Sequence, residues 1–262
     1  MQCTILASGS KGNCMLVEGA GGALLIDAGL SAKEIMHRLA SAGKRPDEIH
    51  AILVTHEHGD HIAGVDVLSR QLHIPICATE GTLRDFLVNR RTSNQPVNTR
   101  TCQFNVKFSI GDFVIEPFAT SHDANEPCGF CIREDGFRLG CCTDTGIVNS
   151  NMVSLLQRCD GLVLESNHCP VMLKNGPYPE YLKRRIRSVR GHLSNEAAAR
   201  CLRTVGSSVQ TLILAHVSVV NNTPEKVRLS ARDGLGLLYD EKALVVATQE
   251  GTSHTCPQVL RL

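Results

Sequence analysis

The apolar positions of this chain fall in short aliphatic runs separated by polar, glycine-containing breaks. Runs near residues 3–6, 14–18, 23–27, 51–54, 75–78, 102–108, 112–118, 129–134, 137–143, 161–165, 210–215 and 243–247 predict strands. Between them, apolar residues recur at helical spacing near 31–42, 62–72, 80–89, 147–157, 179–190, 194–205 and 224–237. Ser31 and Ser194 stand as N-caps, and Glu34 completes a capping box with Ser31. Gly111-Asp112 predicts a hairpin turn between 102–108 and 112–118, while the polar stretch 89–101, with Pro96, reads as an exposed loop.

Early strands are short and hairpin-like; later ones alternate with helices. No Pro/Gly/Ser-rich linker divides the chain, and its halves share a loose strand-then-helix rhythm. The pattern predicts one α/β domain over residues 1–262, a four-layer αββα sandwich with two sheets face to face and helices outside.

Composition narrows the class. The 262 residues are 42% hydrophobic and 20% charged, as in ordinary soluble proteins. A net charge of +1 means that any nucleic-acid site must come from local clustering. No apolar run approaches a membrane span, and a strand begins where a signal peptide would lie, so a cytoplasmic location and no membrane partner are expected. The twelve cysteines then read as reduced thiols. Cys128-Gly-Phe-Cys131 has metal-knuckle spacing but sits in a strand-like run, which favours core thiols over a structural metal or cluster.

The chemistry concentrates after the run 51–54, in His56-Glu57-His58-Gly59-Asp60-His61. His56 and His58 point the same way from an extended loop and can share one metal, leaving Asp60 and His61 for a second. Other strand-like runs end in further donors. His122 is a candidate third ligand, Asp144 a candidate bridging carboxylate, and His216 closes an apolar run. Asp27 follows 23–26 as a ligand, a turn residue or, preferably, a carboxylate that orients a ligating histidine.

Two other segments suggest phosphate. The loop Ser8-Gly-Ser10-Lys-Gly-Asn13 is small enough for its amides to approach an anion, or to form a plain tight turn. Residues 183–190 hold Lys183, Arg184, Arg185, Arg187 and Arg190 and lead into His192 and a helix start. Such a run is ordinarily a solvated face, but here it joins two features that suit phosphate.

Taken together, the segments SGSKGN, LIDAGLS, THEHGDH, SHDANEP, TDTG, ESNH, GPYPEYLKRRI, GHLSN and LAHVSVVNNTP resemble the YycJ/WalJ-like family of the metallo-β-lactamase superfamily, across the whole chain. The resemblance implies an αββα fold and two divalent ions (zinc, manganese or iron), with His56, His58 and His122 on one, Asp60, His61 and His216 on the other, and Asp144 between. It implies a bacterial, metal-dependent 5′-to-3′ exonuclease on double-stranded DNA, acting through a hydroxide that bridges the metals, with DNA-repair partners; oligomeric state stays open. His58 is not replaced by Glu, which disfavours the diiron flavoprotein branch. Cys169 departs from the family's usual Asp after ESNH, and the tail TSHTCPQVLRL fits the family poorly.

Within that frame, Asp60 orients the attacking group. His192 is the proton donor by analogy with the tRNase Z branch, and Glu165 or His168 holds it. Phosphate contacts are expected from Ser8, Ser10, Asn13, Asn167, Ser194 and Asn195, and from Lys183, Arg184 and Arg187, with Arg185 pointing off their helix face. The rival classes are a small-molecule metallohydrolase (thioesterase, lactonase or cyclic-nucleotide phosphodiesterase), which needs no basic segment, and a fold that has lost its chemistry. Seven phenylalanines, three tyrosines and no tryptophan leave little for base stacking.

Overall fold

Apolar runs buried on both faces need partners on both sides. In the computed structural model, which describes residues 1–90, 95–249 and 258–261, two seven-stranded sheets meet that need. The first contains β1 (Gln2–Ala7), β2 (Cys14–Gly19), β3 (Gly22–Ile26), β4 (Ile49–Leu53), β5 (Ile76–Thr79) and β6 (Thr99–Cys102), with β14 (Gln258–Arg261) paired antiparallel to β1 at its edge. The second runs, in spatial order, β13 (Leu244–Val246), β12 (Thr211–Ala215), β11 (Gly161–Glu165), β10 (Phe137–Cys142), β9 (Cys128–Glu134), β8 (Phe113–Ala119) and β7 (Phe108–Ile110).

The strand period of two sorts side chains into layers. Leu24, Ile26 and Leu53 meet Ile115, Phe130, Val163 and Ile213 between the sheets. Their neighbours Leu25 and Ile52 face outward, against α1 (Ala32–Ser41), α3 (Val65–Leu72) and α4 (Glu80–Asn89) through Ile35, Leu39, Leu68 and Phe86. Across the molecule Leu162, Leu164, Leu212 and Leu214 pack on α5 (Ser150–Leu156), α8 (Asn195–Val205) and α9 (Pro224–Leu235). The expected αββα layering is what forms.

The same period disposes of the metal-knuckle alternative. Cys128 lies in the inter-sheet core and Cys131 in the outer core, because residues three apart on a strand face opposite ways. Cys141 and Cys142 divide likewise. All described cysteines are unbridged, and all but Cys169 are buried.

Some boundaries differ from expectation. The run 102–108 is not one strand: β6 ends at Cys102 in the first sheet and β7 starts at Phe108 in the second. Within the expected loop 89–101, residues 91–94 lie outside the described residues, and Thr99–Thr101 belong to β6, an edge strand whose exposed polar side chains imitate a loop. The helix expected over 62–72 breaks at Gly64, whose amide donates to Ala28 O, leaving α2 (Gly59–Ile62) and α3. The short α6 (Pro170–Asn175) and β14 had no expected counterpart, while α7 (Glu180–Arg187) is shorter than expected.

Strands β3 and β4 run parallel, as do β10, β11 and β12. β8 shares their direction through two antiparallel pairings with β9. The carboxyl ends of all these strands open at one rim of the sandwich, the usual place for a site in α/β sheets. Among the described residues no helix is long and apolar enough to cross a membrane.

Candidate metal centre

Each donor is delivered by a strand end. His56, His58, Asp60 and His61 follow β4, Asp27 follows β3, His122 follows β8, Asp144 follows β10 and His216 follows β12; Glu165 ends β11. Asp27, Asp144 and His216 have left-handed backbones, with φ of 57°, 52° and 54°. Such conformations reverse the chain sharply and are uncommon outside glycine; three at one rim mark a site for which backbone strain is tolerated. Gly29 lets the β3 end press on the histidine loop, for a Cβ there would overlap the carbonyl oxygen of Asp60.

The donor atoms converge in overlapping sets. His56, His58 and His122 form one, Asp60, His61 and His216 another, and Asp144 joins them through His56 and His61, each set having its donor atoms within 4.8 Å of one another. Nε2 of His56 is 3.1 Å from Nδ1 of His58. Nε2 of His61 lies 3.3 Å from Asp144 and 3.7 Å from Asp60, and Nε2 of His216 lies 3.5 Å and 3.8 Å from the same two residues.

The outward nitrogens are tied to protein. His61 Nδ1 donates to Asp27 at 2.8 Å, and His122 Nδ1 donates to the carbonyl of Gly191 at 2.9 Å. Thr55 Oγ1 donates to Asp27 and lies 3.0 Å from His56 Nδ1; having one proton to give, it accepts from the imidazole there. His216 Nδ1 faces Glu165 and Asn167, and its backbone amide donates to Ser8 Oγ. These partners leave lone pairs pointing into the cluster, the arrangement metal-ligating histidines adopt.

Electrostatics agree with a cation site. Burial and the neighbouring His61 push His56 well below the usual imidazole range, and burial also lowers His122, so both stay neutral donors. Burial works against charge on His61 and His216 too, but Asp27 and Asp144 raise the first well above normal. Asp144, Asp60 and Glu165 push the second up to about 10. Without metal, protons on these imidazoles offset the carboxylates. The inward atoms His216 Nε2 and Asp144 Oδ2 are buried without a hydrogen-bond partner. Orphaned atoms among imidazoles and carboxylates are what a divalent ion would satisfy, so the residues fit the group.

His192 sits beside this cluster, 3.4 Å from Asp144. Its Nδ1 is 2.7 Å from Glu165 Oε1, and Glu165 Oε2 accepts from the amides of Thr145 and Leu193. Of the two side chains expected to hold His192, the structure pairs it with Glu165. His168 Nδ1 is buried without a partner.

The expected phosphate contacts fare unevenly. Four amides of the 8–13 loop are bonded to protein groups: Gly9 N to Asn13 Oδ1, Lys11 N to Gln249, Gly12 N to Gly9 O and Asn13 N to Asp60 O. It braces the histidine loop, Asn13 Nδ2 lying 3.0 Å from His61 Nε2. Ser8 is buried beneath His216. Ser194 caps α8 through Ala197 N, and Asn195 is buried in a network with Ser166 and Asn222. Lys183 donates to Lys174 O and Arg187 to Glu180, and Arg184 is exposed on α7.

Of the expected contacts Ser10 and Asn167 line the site, and of the basic segment it is Arg185 that joins them. A cavity of about 200 Å³ beside His192 and His216 is lined by Ser10, Asn167, Tyr178, Leu182, Arg185 and Ile186, among others. Helical spacing was sound, but which face turned inward could not be read, and it is the Arg185–Ile186–Leu182 side. Arg190 donates to the carbonyls of His122 and Ala124, pinning the ligand loop. Thr55 was also missed, although its place between a buried strand and the first histidine was a signal. Cys169 precedes α6 at its N-cap, with no side-chain cap bond, a position at which an Asp could cap the helix.

Comparison with known proteins matches this geometry. The profile of the Beta-lactamase superfamily domain matches residues 23–217. The exodeoxyribonuclease WalJ of Streptococcus pneumoniae is 36% identical over 260 residues, 96% of each chain. The exodeoxyribonuclease YycJ of Bacillus anthracis is 38% identical over 230 residues, 87% of this chain and 86% of its own. In three dimensions the metallo-β-lactamase fold protein YhfI from Bacillus subtilis superimposes with a TM-score of 0.74 over 99% of both chains at 16% identity, a likeness of fold alone.

Proposed function

Because the chain belongs to the metallo-β-lactamase superfamily, in its YycJ/WalJ-like family, we propose that it is a metal-dependent phosphodiester hydrolase acting on DNA. Its reaction is 5′-to-3′ exonuclease cleavage of double strands. The observation that carries the reading is a seven-residue donor set beside a part-buried Glu165–His192 pair, in a chain similar over nearly its full length to exodeoxyribonucleases. The eleven cysteines among the described residues are unbridged, which suits a reducing cytoplasm.

His56, His58 and His122 would hold one divalent ion and Asp60, His61 and His216 a second, with Asp144 shared; zinc, manganese and iron all suit these donors. Bound there, the ions would supply charge to the phosphate and acidify the attacking water, whose pKa falls toward ~7 in such sites.

The chain's own groups do the rest. Asp60 is partly open to solvent and, against the cost of burial, is kept ionised by His216 and His61. It accepts a hydrogen bond from the attacking water and so aims it at phosphorus. Bond formation from that oxygen to phosphorus expels the 3′-oxygen of the neighbouring nucleotide, which needs a proton. His192 would give it: burial disfavours its charge, but Glu165 raises its pKa and occupies Nδ1, which leaves Nε2 to donate. Asn167 and Glu165 keep His216 from rotating.

The test is cleavage of end-labelled duplex DNA by manganese- or zinc-loaded protein, beside an Asp60→Ala control. Stepwise loss of nucleotides from the 5′ end, absent in the control, is expected. Two bound ions with no cleavage of DNA, but turnover of thioesters, lactones or cyclic nucleotides, would replace this reading with the small-molecule one.

A further inference from the structure

Arg185 lies in the last turn of α7, and its guanidinium grips Asp123: Nε to Oδ2 at 2.5 Å and Nη2 to Oδ1 at 3.2 Å. Asp123 follows the candidate ligand His122, and its Oδ1 also lies 3.3 Å from His122 Nε2, the nitrogen left free by the bond to Gly191. One carboxylate thus stands between a guanidinium and an inward-facing imidazole. Both partners are substantially exposed, 54% for Arg185 and 31% for Asp123. Such a pair contributes little to folding.

The rest of the basic segment is otherwise engaged. Lys183 and Arg187 are bonded to their own helical neighbourhood, and Arg190 to the carbonyls that carry the ligand loop. Arg184 is exposed but does not line the cavity beside the metal centre; Arg185 does. There it faces an apolar wall of Tyr178, Leu182 and Ile186 and the polar Ser10, Asn167 and Ser218. A guanidinium fork matches phosphate oxygens as well as it matches a carboxylate, so a pair this exposed can exchange one anion for the other at little cost.

We propose that Arg185 binds the DNA phosphate next to the one being cleaved, and that Asp123 holds its guanidinium in place until the strand arrives. The inference rests on the DNA reading above. Asp123 separates the guanidinium from His122, so the phosphate that displaces Asp123 is a neighbour of the one at the metals. No bond is made or broken; Arg185 trades one anion for another. In the absence of DNA the chain neutralises its own binding cation, and Asp123 competes with substrate.

The test uses full-length manganese-loaded protein as Arg185→Ala, Arg185→Lys and Asp123→Asn. Each is assayed on 5′-labelled duplex over a range of salt and on bis(4-nitrophenyl) phosphate, which has no neighbouring phosphate. For Arg185→Ala, KM for DNA should rise roughly ten-fold or more, well beyond any change with the aryl ester. Its log–log salt slope should flatten by about 0.9. Lysine should keep the slope but lose part of the affinity. Asp123→Asn should shift KM the opposite way, downward. Equal losses on both substrates in all three variants, with reduced metal content and an unaltered slope, would show that the pair only braces His122. Wild-type protein that cleaves the aryl ester but not DNA would remove the substrate reading, and the inference with it. Wild-type cleavage of DNA with an indifferent Arg185→Ala would remove the inference alone.

Discussion

Oε1 of Glu165 lies 2.7 Å from Nδ1 of His192, while the other oxygen of the same carboxylate accepts two backbone amides. Burial alone would raise the pKa of Glu165, but His192 and His216 bring it down to about 2, so the carboxylate stays charged where it meets the imidazole. His192→Ala should therefore lower kcat by roughly 10²–10⁴-fold with little change in KM. Glu165→Gln should lower kcat in the same manner, and the double variant should be no worse than His192→Ala. Single-turnover rates on labelled duplex would show this; multiplying losses would mean that the two residues act independently.

Metal uptake should release protons. His216 in the metal-free protein has its pKa up to about 10, above an unfolded value of about 6.5. The stabilisation from its proton is thus complete below that value and is lost as pH rises through the folded one. A metal must displace this proton, so apparent affinity should climb with pH across the interval. Calorimetric titration of chelator-treated protein in two buffers of different ionisation heat measures the protons released. Uptake of two ions without proton release would contradict the charge balance described for His61 and His216.

Asp27 accepts from the Thr55 amide and hydroxyl and from His61. Asp27→Ala leaves those buried donors unpaired, and metal affinity should fall roughly 10–100-fold. Thermal unfolding should also show a loss of about 3 kcal/mol in the metal-free protein. Asp27→Asn should soften both effects, since an amide oxygen can accept from Thr55.

Cys169 occupies the N-cap of α6 without capping it. Cys169→Asp should add about 1 kcal/mol of stability and leave the metal stoichiometry at the wild-type value. Denaturant unfolding, together with metal analysis, separates this from an effect on the centre.

His168 is buried, and burial lowers its pKa to about 4. The unfolded chain takes up that proton as pH falls below about 6.5, while the folded one resists until about pH 4. Stability should therefore decline across that window, by roughly 3 kcal/mol from this residue. His168→Gln should flatten that part of the pH–stability curve. An identical curve for the variant would place the loss elsewhere.

Much of this protein is local in origin. Short continuous apolar runs such as Leu24–Ile26 and Ile52–Leu53 read as strands buried on both faces, and a buried strand that ends in donors presents those donors at a rim. That is why the candidate donors and the αββα layering were legible from the order of residues. Tertiary structure decided matters that depend on which face of an element turns inward and on what else competes for its polar groups. The 8–13 loop looked open to phosphate until its amides found Asn13, Gln249 and Asp60. Lys183, Arg184 and Arg187 were expected ahead of Arg185, but Ile186 anchors α7 and turns Arg185 over the cavity. Asp123 carried no signal of its own, because an acid after a histidine acquires meaning only when a guanidinium from sixty residues away arrives beside it. Strand alternation and donor type are properties of adjacent residues; helix rotation, and the sharing of one carboxylate between His122 and Arg185, are set by packing over long sequence separations.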